Sequence, residues 1–249
     1  MITPGKRCKS GKGRFLLAHA LAFCLALNLL GHAVPRAAHA GSWTQVQYWS
    51  NEDLVDVAAG PGNTVYVATL QGVRKWAAGS WTNLGKPQYL SGILVTPAGE
   101  LWARGNYIYW GYVYRWAGGT SWSCVLSSDS LNIYDIDVDP SGKVWLGCSD
   151  GRLRYWNGSS FLSTAQWPHG SSPIQRIAFA ADGTLWAGGQ SGRVARWTGS
   201  AWTDAGQLPS AYSDTVAMAV DNKGQPVVVG AGWSDDSWYS VSYRRADGS

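Results

Sequence analysis

The sequence predicts an all-β chain, a five-bladed β-propeller of four-stranded antiparallel blades. Three observations predict it. A tryptophan or its aromatic equivalent returns inside a Gly-Ser-Trp-like turn at Trp43, Trp81, Trp122, Phe161 and Trp202, with steps of 38, 41, 39 and 41 residues. A period of 20–50 residues marks solenoids, propellers and arrays. Each unit also holds four short β-branched or aromatic runs separated by Gly, Asp, Asn or Pro turns, the pattern of antiparallel strands. Finally, the two ends complement each other. The chain stops after 246–249, where other units continue into a fourth strand, and 42–48 reads as a fourth strand without a unit of its own. The expectation is that this N-terminal strand forms the outer strand of blade 5 and closes the ring, removing two exposed sheet edges.

Taken in order, residues 1–40 stand apart. A basic stretch with Lys6, Arg7, Lys9, Lys12 and Arg14 precedes an apolar run at 15–30, and Ala38-His39-Ala40 ends the segment with a small-x-small pattern. That is the three-part form of a secretory signal peptide. Cleavage after Ala40 is expected, leaving 41–249 as a single propeller domain that is secreted or periplasmic. The apolar run is shorter than the roughly 20 residues that span a bilayer, so no membrane span is expected after cleavage.

The leader also distorts the charge. The whole chain is +4, but six of its 20 Lys and Arg and none of its 16 Asp and Glu lie in 1–40. Residues 41–249 hold 14 basic and 16 acidic side chains. Nothing in that balance supports binding to nucleic-acid phosphates. Past residue 40 the chain keeps only His169, Cys124 and Cys148 of its His and Cys. The two cysteines fall toward opposite ends of their strands and are expected to stay free.

The third unit displays the four strands most clearly: 133–138, 143–149, 152–156 and 161–167, here called A to D. The turns between them are Asp139-Pro140-Ser141-Gly142, Asp150-Gly151 and Asn157-Gly158-Ser159-Ser160. Eleven of the 16 tryptophans sit in repeat columns: Trp102, Trp145 and Trp186 on strand B, Trp76, Trp116, Trp156 and Trp197 on strand C, and Trp43, Trp81, Trp122 and Trp202 on strand D. A residue repeated at one place in every blade is read as blade-to-blade packing. Lys75, Arg115 and Arg196 share a column beside them and are expected to be exposed or stacked on the rings.

These motifs, G-x-[LV]-W-x-G followed by G-x-[VL]-x-R-W-x-G-x-x-W, resemble bacterial secreted β-propeller repeats of the two-component-regulator type, within the broader WD-repeat-like and quinoprotein-like group. The resemblance covers nearly all of 41–249. It implies the fold and leaves the function open, because such propellers serve as sensors, scaffolds, lectins and enzymes.

Five tryptophans break the period: Trp49, Trp110, Trp167, Trp233 and Trp238. Trp49 and Trp167 fall at D–A connections, and Trp110, Trp233 and Trp238 at B–C connections. In an up-and-down blade both kinds of connection emerge on one face, so all five rings are expected there. Tyr107, Tyr109 and Tyr112 come with the blade 2 insertion, Tyr89, Tyr212 and Tyr239 lie near the same rim, and His169, Asp235 and Asp236 supply polar groups. Exposed aromatic rings beside a few polar groups suit stacking on sugar rings, and they suit a protein partner as well. The expected partner is therefore a glycan or a surface protein, and the expected activity is binding without catalysis, a glycosidase-like enzyme being a distant alternative.

On strand A, Asp56, Asp135 and Arg176 occupy one inward column, where Gly92 and Ala217 stand in the other two blades. They are expected to meet near the axis as a structural ion cluster. No cofactor motif, metal-ligand spacing or Ser-His-Asp set is present, so neither cofactor nor metal is expected.

Overall fold

The computed structural model describes residues 52–208, 213–232 and 238–243. They form a five-bladed β-propeller. Blade 1 contains β1 (Leu54–Gly60), β2 (Thr64–Thr69), β3 (Gly72–Ala77) and β4 (Ser80–Asn83), and blade 2 contains β5 (Leu90–Val95), β6 (Leu101–Tyr107), β7 (Trp110–Gly118) and β8 (Ser121–Ser128). Blade 3 contains β9 (Ile133–Val138), β10 (Val144–Cys148), β11 (Arg152–Trp156) and β12 (Phe161–Gln166). Blade 4 contains β13 (Ile174–Phe179), β14 (Leu185–Gly189), β15 (Arg193–Trp197) and β16 (Trp202–Gln207). Blade 5 contains β17 (Ser213–Val220), β18 (Pro226–Gly232) and β19 (Trp238–Tyr243). In every sheet each strand pairs with its neighbours in the chain. The leader and the expected closing strand at 42–48 lie outside the described residues, among which blade 5 has three strands.

The column tryptophans fill the spaces between blades. Trp102 and Trp186 are almost fully buried and Trp145 nearly so. Trp102 of blade 2 meets Trp156 and Phe161 of blade 3 at 5.4 and 6.2 Å, both edge-on, and Trp145 of blade 3 meets Phe179 of blade 4 at 5.8 Å. Indole N–H groups also reach an adjacent blade. Trp122 donates to the Leu84 carbonyl, Trp202 to Ala165 and Trp186 to Gly224, at 2.8, 3.1 and 3.0 Å. The column of cations beside them stacks on rings, with Arg115 5.6 Å from the Trp102 ring and Lys75 5.7 Å from the Tyr66 ring.

Strand A of every blade carries one β-bulge at the same position, with Val55, Ser91, Tyr134, Gln175 and Val216 as the unpaired residues. A bulge bends its strand and re-aims nearby groups. Here the residue after each bulge, in the column 56, 92, 135, 176 and 217, is turned to the axis.

Because Trp102 is enclosed by rings of blade 3 and aliphatic side chains of its own blade, its replacement removes packing that nothing nearby can refill. Trp102→Ala is expected to cost about 3–5 kcal/mol, read as a lower denaturant midpoint in equilibrium unfolding.

Candidate functional site

Two features stand out, the first of them on the face from which the D–A and B–C connections emerge. One is the tip of the blade 2 hairpin. Tyr107 pairs with Trp110, so β6 and β7 are joined by only Ile108 and Tyr109. Two-residue hairpin loops normally place Gly, Asn or Asp where φ is positive. Here Ile108 takes that position at φ 55°. A β-branched residue there is strained by about 1–3 kcal/mol. The residues 107–114 contain no charged side chain.

The rings at this tip pack on one another and remain open to solvent. Tyr89, itself at φ 54°, stacks on Tyr107 at 4.6 Å and on Tyr112 at 5.5 Å. Tyr112 lies nearly parallel to Trp110 and Tyr114, at 6.4 and 6.1 Å with interplanar angles of 14° and 17°. Tyr109 is 71% exposed and Ile108 67%, with Tyr107, Tyr89 and Trp110 between 43% and 49%. Exposed Leu54 and Leu70 of blade 1 add to the same face.

The other feature is the axial channel, a cavity of about 390 Å³ lined by strand A residues and by Arg104. Asp56, Asp135 and Arg176, expected from the sequence to meet as an ion cluster, all line this channel, where they bond to backbone groups. Asp56 accepts the N–H of Val57 at 2.8 Å and, across the blade boundary, that of Ile93 at 2.9 Å. Asp135 accepts Ile136 N–H at 3.0 Å and Ile177 N–H of blade 4 at 2.9 Å. Asp137 repeats this with Val138 and Phe179. Arg176 donates to the carbonyls of three bulge residues: Gln175 at 2.6 Å, Val216 at 2.8 Å and Tyr134 at 3.4 Å.

Arg104 is the member that the column reading missed. It sits on β6 and enters the channel beside Gly92, its cross-strand partner. The available signal was a glycine in the axial column with an arginine paired to it. Burial lowers the Arg104 pKa, and Asp135 opposes that effect.

Other expected site residues are distributed unevenly. Trp167 is 2% exposed and is not a stacking platform. Its ring sits over Gly151 and Gly189, where a Cβ would lie 3.0 and 2.4 Å from indole atoms. His169 meets it edge-on at 4.7 Å. The His169 side chain is 8% exposed, with Nε2 3.5 Å from Asp204 Oδ1. Burial pushes the imidazole pKa down, and Asp204 opposes that effect. Trp110 and Trp238 are the first residues of strands C rather than loop residues, paired with Tyr107 and Gly232. The apolar alternation simply extends both hairpins further than the turn composition suggested. Trp49, Tyr212, Trp233, Asp235 and Asp236 lie outside the described residues. Cys124 is exposed on β8, and Cys148 is buried at the end of β10. Among the described residues no helix is long and apolar enough to cross a membrane.

The fold and these two features define a small propeller with an aromatic face and a polar axis. No family model matches the chain, and no curated protein matches it. Solved structures do match. Virginiamycin B lyase from Staphylococcus aureus superposes with a TM-score of 0.60 at 16% identity, covering 75% of this chain and 69% of that one. The extracellular domain of a hybrid two component system from B. thetaiotaomicron gives 0.57 at 14%, covering 78% and 27%. YCF48 bound to a D1 peptide gives 0.53 at 17%, covering 80% and 70%. At these identities the likeness is one of fold, and it agrees with the resemblance carried by the repeat motifs.

The channel carboxyl of Asp137 has a pH consequence. Burial pushes it from the ordinary 3.8 up to about 7. Between those values the folded chain holds a proton that the unfolded chain has released, so this group stabilises the fold at low pH. That contribution is lost as pH rises through about 7. Denaturant midpoints measured from pH 4 to 8 are expected to show this decline in the parent and a shallower one in Asp137→Asn.

Proposed function

We propose that this protein is an exported, non-catalytic binding module that holds a glycan on the aromatic tip of blade 2. The observation that carries the reading is the set of exposed rings at Tyr89, Tyr107, Tyr109 and Trp110, with Tyr89 stacked on Tyr107 and Trp110 on Tyr112. Rings buried in a core would need no explanation. These are kept in water on a strained turn, and strain that persists at an exposed site points to use. Sugar C–H faces pack on such rings, while tyrosine hydroxyls and nearby serines can meet sugar hydroxyls. The leader pattern at 1–40 supports export. The axial aspartates support a structural role over a catalytic one, because their oxygens are already engaged by backbone N–H groups.

A second reading is a peptide or surface-protein partner. Ile108, 67% exposed, favours it, since an aliphatic tip suits a protein groove better than a sugar. The similar fold of YCF48, seen with a D1 peptide, agrees with this reading.

The test is a glycan array of neutral and acidic oligosaccharides, followed by titration with the best binder. Each stacked ring contributes about 0.5–1.5 kcal/mol. The double variant Tyr109→Ala, Trp110→Ala is therefore expected to bind about tenfold or more weakly, with its melting temperature nearly unchanged. Unchanged glycan affinity in the double variant would remove the tip from the account. Binding to a surface protein that no soluble glycan competes away would favour the second reading.

A further inference from the structure

We propose that the axial channel binds a small carboxylate-bearing molecule, and that Arg104 is its anchor. The site is separate from the aromatic tip. Five strand A residues ring the axis at 56, 92, 135, 176 and 217, and only the blade 2 member is glycine. A Cβ at Gly92 would lie 2.7 Å from Arg104 Nε, 3.1 Å from Cζ and 3.2 Å from Nη2. The absent side chain is what lets the guanidinium lie against strand A and reach the channel.

The guanidinium is fixed at one end only. Nη1 donates to Ser91 Oγ at 3.1 Å and to the Ile133 carbonyl at 3.3 Å. Nε and Nη2 donate to no acceptor among the described residues, and Arg104 forms no ion pair among them. Those two N–H groups lie on one edge of the planar group, the edge that pairs with both oxygens of a carboxylate. The neighbouring aspartates do not occupy it: Asp56 and Asp135 accept backbone N–H groups of their own blade and the next, and among the described residues no ion pair joins either to Arg104.

A half-buried guanidinium with no ion-pair partner is costly. Among its neighbours, Asp135 and Asp56 offset the cost at a distance, and Arg176 adds to it. The charges of Arg104 and Arg176 balance those of Asp56 and Asp135. Asp137, its pKa raised to about 7, adds only part of a negative charge near neutrality. A carboxylate at Arg104 therefore meets a guanidinium directly, and the rest of the channel opposes it with only a fractional excess of negative charge.

The cavity also has room for such a molecule. Its 390 Å³ falls at the lower end of the roughly 300–1,000 Å³ of ligand pockets. Beyond the polar ring the lining is mostly apolar, with Val138, Phe179, Ala219 and Val220 beside the Asp137 carboxyl. The arrangement suits a short aliphatic or aromatic carboxylate, its charged end at Arg104 and its carbon end deeper along the axis.

Benzoate, its neutral isostere benzamide and inorganic phosphate serve as probes, each titrated into the whole protein by calorimetry and by NMR of the arginine Nε–H resonances. Benzoate is expected to bind and to shift the Arg104 Nε–H resonance downfield. Benzamide and phosphate are expected to bind about tenfold more weakly or not at all. Arg104→Gln removes the fork. Gly92→Ala keeps the charge but pushes the guanidinium aside, and it serves if Arg104→Gln does not fold. Either folded variant is expected to lose about tenfold or more in benzoate affinity. Four results would overturn the proposal: no benzoate binding on the order of 10 mM, equal binding of benzamide, preference for phosphate, or unchanged affinity in the folded variants. If neither variant folds, the parent's Nε–H shift decides.

Discussion

The structure depends on side chains of one blade hydrogen-bonding to the backbone of the next blade's innermost strand. Strand A is the most crowded strand, and its bulge leaves backbone groups that its own ladder cannot satisfy. The preceding blade supplies the partners. Asp56 takes Ile93 N–H between blades 1 and 2, and Asn106 clamps both the N–H and the carbonyl of Ile133 between blades 2 and 3, at 2.8 and 2.7 Å. Asp135 takes Ile177 N–H between blades 3 and 4, and Gln175 takes Thr215 N–H between blades 4 and 5, at 2.9 Å in both cases. Each such bond contributes about 0.5–3 kcal/mol, the charged ones most. A blade slipped by one residue would leave these buried groups unpaired, which fixes the blades in register.

With the axis held by polar clips and the gaps between blades filled by column tryptophans, the blade 2 tip is left with little structural work. Its rings pack on one another, and its turn holds Ile108 where glycine would relieve the backbone. A chain selected only for stability would relieve that strain and shorten the exposed apolar run. The contrast with Trp167 is instructive. That ring also breaks the period, yet Gly151 and Gly189 make a slot for it and the core absorbs it.

The repeat made most of the fold legible in the sequence, because strand length, turn chemistry and column position recur together. The axial cluster was legible in part. Asp56, Asp135 and Arg176 stand in a column that alignment of the units reveals. Arg104 stands on the neighbouring strand and reaches the axis only because residue 92 has no side chain, a relation of two strands that a single column cannot display. The same limit explains Trp167. Period-breaking predicts which face a residue emerges on, while burial there is decided by which residues on adjacent blades are glycine. Ile108 was hidden for another reason: the turn is too short for its composition, and its strain is visible only once the Tyr107–Trp110 pair is known.

Hydrogen–deuterium exchange of the whole protein, with and without a bound oligosaccharide, tests the central claim most directly. Recognition through the aromatic tip predicts new protection confined to 88–91 and 106–113, the strands and connections that carry the exposed rings. Protection at the opposite face, in the A–B turns at 96–100, 139–143, 180–184 and 221–225, would contradict it.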